Sequence, residues 1–196
     1  TLWTTPPLLT YLTDHHTPAT DTTAPTPPAT IDQAHTALRL LHRYALLTCD
    51  TRAEPRAIRM HALTSRAVRE SIPDQELPSL AVAAADALLY TWPDPDQPHP
   101  DLTATLRANT DALAEHTRNH LWHPDAHPVL YRAGNSLLNA GLAASATAYW
   151  RHMATLSERI LGEEHPDTLT SRANLAASYR QAGRTDEAIV IEEQVV

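Results

Sequence analysis

Apolar positions in the second half of the chain recur at helical spacing and stop twice at an Ala-Gly pair, Ala140-Gly141 and Ala182-Gly183, forty-two residues apart. Ala146 and Ala188 repeat at the same offset. A helical hairpin written twice at this period predicts antiparallel helix pairs stacked side by side, each unable to bury its apolar face alone. The expected helices cover 128–140, 143–161, 167–182 and 186–196. Thr185 is placed to cap the last one, and Asp186 and Glu187 put negative charge in its first turn. Along the third of these helices, Leu169, Arg172, Leu175 or Ala176, Tyr179 and Ala182 share a face suited to packing against neighbours. Thr170, Asn174, Ala177 and Gln181 share the other face, spaced to line a groove. No cap or stop signal closes the last helix at Val196, so the array is expected to continue. Ile189, Ile191 and Val195 would then await a further repeat, and self-association through that helix is expected.

The first half reads differently. Leu2, Trp3, Leu8, Leu9, Tyr11 and Leu12 form a short apolar stretch that should dock on elements later in the chain. Residues 13–30 are Thr/Pro-rich without periodicity and read as a disordered loop. Thr30 and Gln33 have capping-box spacing, and Ile31, Ala34, Leu38, Leu41 and Ala45 then make one helical stripe. Two β-prone runs, 46–49 and 57–60, flank the polar stretch 50–56 as in a hairpin. A second helix comes next with Leu63, Ala67, Val68 and Ile72 inward, and Pro73 stops it. Helix, hairpin, helix is the layout of a small winged-helix unit. From Pro78 the pattern is helical again. One helix covers Leu80 to Trp92, and after the loop PDPDQPHP another covers Leu102 to Trp122, with Leu102, Leu106, Leu113, Thr117 and Leu121 as its stripe. The expected organisation is a winged-helix-like domain over 1–75, a connecting helical hairpin over 76–126 and a truncated repeat region over 127–196. The fold class is mainly α: a winged-helix unit with a short β-hairpin, then an α-solenoid.

Composition narrows the function. The chain has 196 residues, 42% hydrophobic and 19% charged, and its longest apolar candidate, Leu77 to Tyr90, is interrupted by Pro78, Ser79 and Asp86. No membrane span is expected, nor is a signal peptide. The single cysteine, Cys49, fits a reducing cytoplasmic compartment and reads as a buried structural thiol on an apolar strand. All fifteen basic residues are arginine, a bias expected of a high-GC bacterial genome. Without lysine there is no Schiff-base or P-loop lysine. Gly134, Gly141, Gly162 and Gly183 are isolated, so no phosphate-cradling glycine loop exists and these residues are not expected to hydrolyse ATP. The net charge of −8 opposes nucleic-acid binding, although Arg59, Arg66 and Arg69 lie on or near the second helix of the winged-helix unit.

The sharpest metal-like feature is His116, His120, His123 and His127, the first two at i, i+4. No His-Glu-x-x-His motif accompanies them, no cysteine contributes, and Pro124 breaks the helix before His127. No metal site is assigned there, nor any catalytic residue; the sequence shows no convergent catalytic group beside Asp86 or Asp111.

The segment from Ala148 to Ile189 resembles the long tetratricopeptide repeats of the kinesin light chain type. The residues that carry this are Leu161-Gly162, the turn His165-Pro166-Asp167-Thr168, Asn174-Leu175-Ala176, Tyr179, Ala182-Gly183-Arg184 and Glu187-Ala188. The first copy is degenerate: His127-Pro128 lacks the following Asp-Thr, and aligning Asn135 with Asn174 needs a gap. Residues 1–75 resemble the end of a bacterial NB-ARC (STAND-type) ATPase. There the likeness rests on Ala37-Leu38, Tyr44-Ala45-Leu46-Leu47 and the run Ile58-Arg59-Met60-His61-Ala62-Leu63 through Arg69. Leu88-Leu89-Tyr90-Thr91-Trp92-Pro93 resembles the stretch that joins the two parts in such proteins. The resemblance implies that His61 contacts the phosphate of ADP held by an upstream nucleotide-binding domain; Ala62 stands where that family has an acid. The reading is therefore a non-catalytic regulatory fragment whose repeats hold a protein or peptide through Thr170, Asn174 and Gln181. It carries no cofactor of its own, and ADP or ATP would belong to the full-length protein. The alternatives are a free-standing tetratricopeptide scaffold and, behind it, a DNA-binding winged-helix regulator or a His-rich metal site.

Overall fold

The structure is a computed structural model and describes residues 5–15, 29–50, 52–53 and 57–193. The chain divides into two compact units, Thr1–Trp92 and Pro93–Val196. Most of the Thr/Pro-rich segment, Leu2, Trp3, Glu54-Pro55-Arg56 and Val195 lie outside the described residues.

In the first unit α1 (Pro6–His15) packs on α4 (Leu77–Thr91), where Leu8 meets Ala83 and Ala87 with Tyr11 at the edge. The apolar stretch before the Thr/Pro-rich segment thus docks on the helix that the sequence pattern assigns to a connecting hairpin. Thr13 closes the segment's ends, its hydroxyl accepting from the Ala29 N–H at 2.7 Å. α2 (Ile31–Arg43) opens with the expected reciprocal cap between Thr30 and Gln33. Strands β1 (Leu47–Cys49) and β2 (Ile58–Met60) pair antiparallel, Leu47 opposite Met60 and Cys49 opposite Ile58.

Two expectations fail in this unit. Cys49 is exposed, because the hairpin stands alone as a two-stranded sheet and only Leu47 of β1 is buried. Helix α3 (Ala62–Ser71) buries no side chain: Leu63 is 71% exposed, Val68 is 47% exposed, Ala67 is exposed and Ile72 is only half-buried. Amphipathic spacing identifies which side chains would face a core, not whether the described chain supplies one.

The second unit begins with α5 (Pro100–His116). The sequence pattern extends this helix to Trp122, but it ends at Thr117, and Arg118 takes a left-handed φ of 53°. Leu121 and Trp122 are nonetheless buried, in the turn rather than on a helix face. Two helix pairs complete the unit, α6 (Pro128–Asn139) with α7 (Ala143–Leu161) and α8 (Pro166–Gln181) with α9 (Thr185–Glu192). The corners fall at the Ala-Gly pairs. Gly141 and Gly183 have φ of 69° and 73°, values that glycine reaches without a Cβ clash. At each corner the next N–H reaches back five residues, Leu142 to the Leu137 carbonyl and Arg184 to the Tyr179 carbonyl. Ala146 and Ala188 are fully buried where the paired helices approach. The gap in the alignment of the two copies also has a structural cause: α6 has 12 residues and α8 has 16, about one helical turn more.

Trp150 anchors the first pair. It is wholly buried, tilted against Tyr131 at 5.9 Å and edge-on to Tyr149 at 5.7 Å. Its ring lies against Gly134 of α6, where an added Cβ would come within 2.4 Å of the indole. Between the pairs, Arg172 of α8 is buried and held by Glu158 at 3.1 Å and Glu163 at 3.3 Å. No described helix is long and apolar enough to cross a membrane.

The Gly134 contact makes a sharp prediction. Glycine to alanine inside a helix normally gains about 0.5–1 kcal/mol. Here Gly134→Ala should instead lose about 1–3 kcal/mol through overpacking against an indole that has no room to move. Urea denaturation monitored by tryptophan fluorescence reads the sign directly.

Candidate protein-interaction face

The face of α8 that the sequence spacing singles out begins at Thr170, which is exposed and whose hydroxyl donates to the Pro166 carbonyl at 2.8 Å. Asn174, half-exposed one turn later, donates from Nδ2 to the Thr170 carbonyl at 3.0 Å. Among the described residues it bonds within its own helix and caps no neighbour. Ala177 is exposed between them and Gln181. Gln181 is the residue that crosses to the adjoining pair, its Nε2 donating to the Leu138 carbonyl at the end of α6, 2.9 Å away. This bond places the Thr170–Gln181 face beside α6. Leu175, Ala176 and Tyr179 are buried on the other side of α8, whereas Ala182 is exposed at the corner. The Asn174 and Gln181 amides each have a carbonyl oxygen left to accept, and each NH₂ group has a second hydrogen to donate.

His61 caps α3: its Nδ1 accepts from the Leu63 N–H at 3.4 Å. The histidine run does not form a ligand set. His116 is the last residue of α5, and the left-handed Arg118 intervenes before His120, so the i, i+4 pair is not carried on one helix. His127 instead caps α6, Nδ1 accepting from the Val129 N–H at 3.2 Å.

A different cluster, which sequence reasoning misses, joins the two helix pairs. Asp125, His165 and Asp167 bring one ligand-type atom each within 4.8 Å of one another. His165 caps α8, its Nδ1 accepting from the Asp167 N–H at 3.2 Å. A neutral imidazole that accepts at Nδ1 carries its hydrogen on Nε2. That nitrogen lies 3.4 Å from the Asp125 carboxylate. Asp167 in turn accepts from the Ala126 N–H at 2.8 Å, and the Tyr131 hydroxyl donates to the Asp167 carbonyl at 3.1 Å. A cation on Nε2 would force the proton onto Nδ1 and break the cap, at a helix N-terminus whose dipole already repels it. The arrangement is a structural clasp. Its only signal in the sequence is the His-Pro-Asp turn.

Burial and charge act on three more groups in this unit. The hydroxyls of Tyr149, donating to the Leu130 carbonyl, and Tyr131 are pushed above their usual range, chiefly by burial. The Asp111 carboxyl on α5 is also raised, by burial that outweighs Arg107 and His152.

The clasp and the Asp111 carboxyl can each be tested by stability. His165→Ala should lose about 0.5–2 kcal/mol in urea, as for loss of an N-cap, while His165→Asn, which also caps, should keep most of it. Asp111 has a raised folded-state pKa, so its contribution to stability is full at low pH and lost as pH rises through that value. Asp111→Asn should therefore raise the thermal midpoint at neutral pH and leave it unchanged near about pH 3, where the carboxyl is protonated in both states.

The family model described as tetratricopeptide repeat matches residues 125–196, the two helix pairs together with the Asp125 side of the clasp. Among curated proteins, the clustered mitochondria protein homolog of Mycosarcoma maydis is 43% identical over 53 residues. That alignment covers 27% of this chain and 4% of the relative, so the chain spans a small fraction of that protein. No solved structure matches. The glycine corners, the buried Ala146 and Ala188 and the family match together make this a chain that contains tetratricopeptide repeats.

Proposed function

We propose that this chain is a non-catalytic protein-interaction module whose repeats hold a protein or peptide segment along the α6–α8 face. The observation that carries this reading is the division of α8. Its buried face serves stacking, while Thr170, Asn174, Ala177 and Gln181 stand exposed or half-exposed and uncharged on the other. Amides that can both donate and accept suit the main chain of an extended segment, which offers a carbonyl and an N–H at each residue.

The first unit supports a regulatory setting, that of a STAND-type signalling ATPase acting in the cytoplasm. His61 caps α3 through Nδ1, which leaves Nε2–H to donate at a helix N-terminus, where a phosphate is favoured. Leu63 and Val68 stand exposed on the same helix, as a surface that a nucleotide-binding domain would cover. In this reading the repeats hold the partner, and the first unit relays that state as a shift between two packings against the nucleotide domain. A free-standing repeat scaffold is the competing class. A gene encoding a Walker motif upstream of Thr1 separates the two.

Asn174→Ala tests the face itself. The variant should keep the wild-type urea midpoint within about 0.5 kcal/mol, because the side chain is half-exposed and bonds only within its helix. It should lose at least several-fold in capture of the partner that the wild-type chain enriches. Undiminished capture would remove the assignment of this face.

A further inference from the structure

Charge is distributed unevenly along the chain. Residues 39–69 hold seven of the fifteen arginines against two acids, Asp50 and Glu54. Residues 93–196 hold eight arginines against fourteen acids. In the first region α2 and α3 both combine arginines with exposed apolar surface, but on α3 Arg66 is paired with Glu70 at 2.7 Å; in the second region the corresponding helix is α9.

On the C-terminal half of α2, Thr36, Arg39, Leu40 and Arg43 fall on one side at helical spacing, and Tyr44 continues it. Leu40 is 46% exposed, Tyr44 is 70% exposed, and both arginines are exposed. Arg39 donates to the Thr36 hydroxyl at 3.0 Å. Among the described residues neither Arg39 nor Arg43 pairs with a carboxylate, and this half of the row holds no acid.

On α9, Asp186, Ile189, Val190 and Glu193 fall on one side in the same way. Ile189 and Val190 are 46% and 55% exposed, and both acids are exposed. Glu187 and Glu192 are engaged by Arg184 and Arg180, whereas among the described residues Asp186 and Glu193 meet no arginine. This row holds no base.

We propose that these two surfaces are partners between copies of the chain: the Arg39–Tyr44 row of one copy docks on the Asp186–Glu193 row of another. Two guanidiniums meet two carboxylates around a centre of Leu40 and Tyr44 against Ile189 and Val190. Like charges oppose the other pairings, α2 on α2 and α9 on α9, so each contact joins α2 of one copy to α9 of another. Such contacts close into a dimer or ring where they are reciprocated and otherwise propagate into open chains. The contact is independent of the groove along α8, and its failure would leave the partner-binding reading untouched.

Sedimentation over a concentration series into the sub-millimolar range tests the proposal with the full chain. At low salt the average mass should rise with concentration above that of the monomer, and about 0.5 M salt should suppress the rise. The double variants Arg39→Glu with Arg43→Glu, and Asp186→Arg with Glu193→Arg, alter only exposed side chains, and circular dichroism should match the wild type. Each variant alone should stay monomeric. Mixed one to one they should associate again, since the reversed α2 of one faces the reversed α9 of the other and the unaltered α2 and α9 meet as in the wild type. A wild type of constant monomer mass overturns the proposal. So does association that survives either reversal, or a mixture of the two variants that stays monomeric.

Discussion

The absence of a single Cβ sets the geometry of the repeat region. Trp150 can be wholly buried in the first helix pair only because α6 presents Gly134 where the indole arrives, and the two tyrosine rings that bracket the tryptophan then have fixed positions. Tyr149 donates to the Leu130 carbonyl of α6, and Tyr131 donates to the Asp167 carbonyl of α8. Through these contacts the spacing of α6 and α7 is carried to the next pair. Protein interiors are packed too densely to absorb an added methyl at such a contact. The glycine therefore matters for close approach, in contrast to Gly141 and Gly183, which matter for their backbone dihedrals.

The joint between the pairs has a different chemistry. Arg172 is buried between Glu158 and Glu163, and the His165 clasp ties the turn before α6 to the start of α8. The Ala126 and Asp167 N–H groups and the Tyr131 hydroxyl each have a named acceptor in the clasp, so these donors can sit at a partly buried helix junction without the penalty of being unpaired. The degenerate first copy helps to explain why it works. Val129 occupies the position after Pro128 that Asp167 occupies after Pro166, so only the second copy supplies a carboxylate there, and it is used by the first copy's Ala126 N–H.

Much of the repeat region is legible in the sequence because its signals are local. A glycine that ends a helix, an alanine at a close approach and a proline in a first turn each impose a backbone condition readable from one or two residues. The same holds for the Thr30–Gln33 cap and for the two β-prone runs that pair as a hairpin. Most of the failures depend on what lies across from a residue. The spacing of Leu63, Ala67 and Val68 marks an inward face, but the described residues leave these side chains exposed. An apolar strand suggests a buried Cys49, yet a two-stranded sheet has too few neighbours to cover it. The early end of α5 turns on a left-handed Arg118, a conformation that its residue type does not announce. On the candidate face, the spacing of Thr170, Asn174 and Gln181 is visible in the sequence, but not that Gln181 reaches the end of α6.

That last bond bears on how an interaction surface can be stable and open at once. A helix face lined only by solvated amides would contribute little to holding two pairs together. A face fully engaged in stacking would have nothing to offer a partner. Gln181 divides the two demands along one row, because its Nε2 fixes α8 against α6 at the corner while Asn174, two turns earlier, bonds only within its own helix. The packing energy resides on the opposite side, in Leu175, Ala176 and Tyr179, so substitution at Asn174 need not disturb the stack. Recognition on such a surface is limited by how rigidly the amides are held, since each mobile side chain that a ligand must order costs about 0.5–1.5 kcal/mol. On the proposed face, the bond from Asn174 to the Thr170 carbonyl would lower that cost.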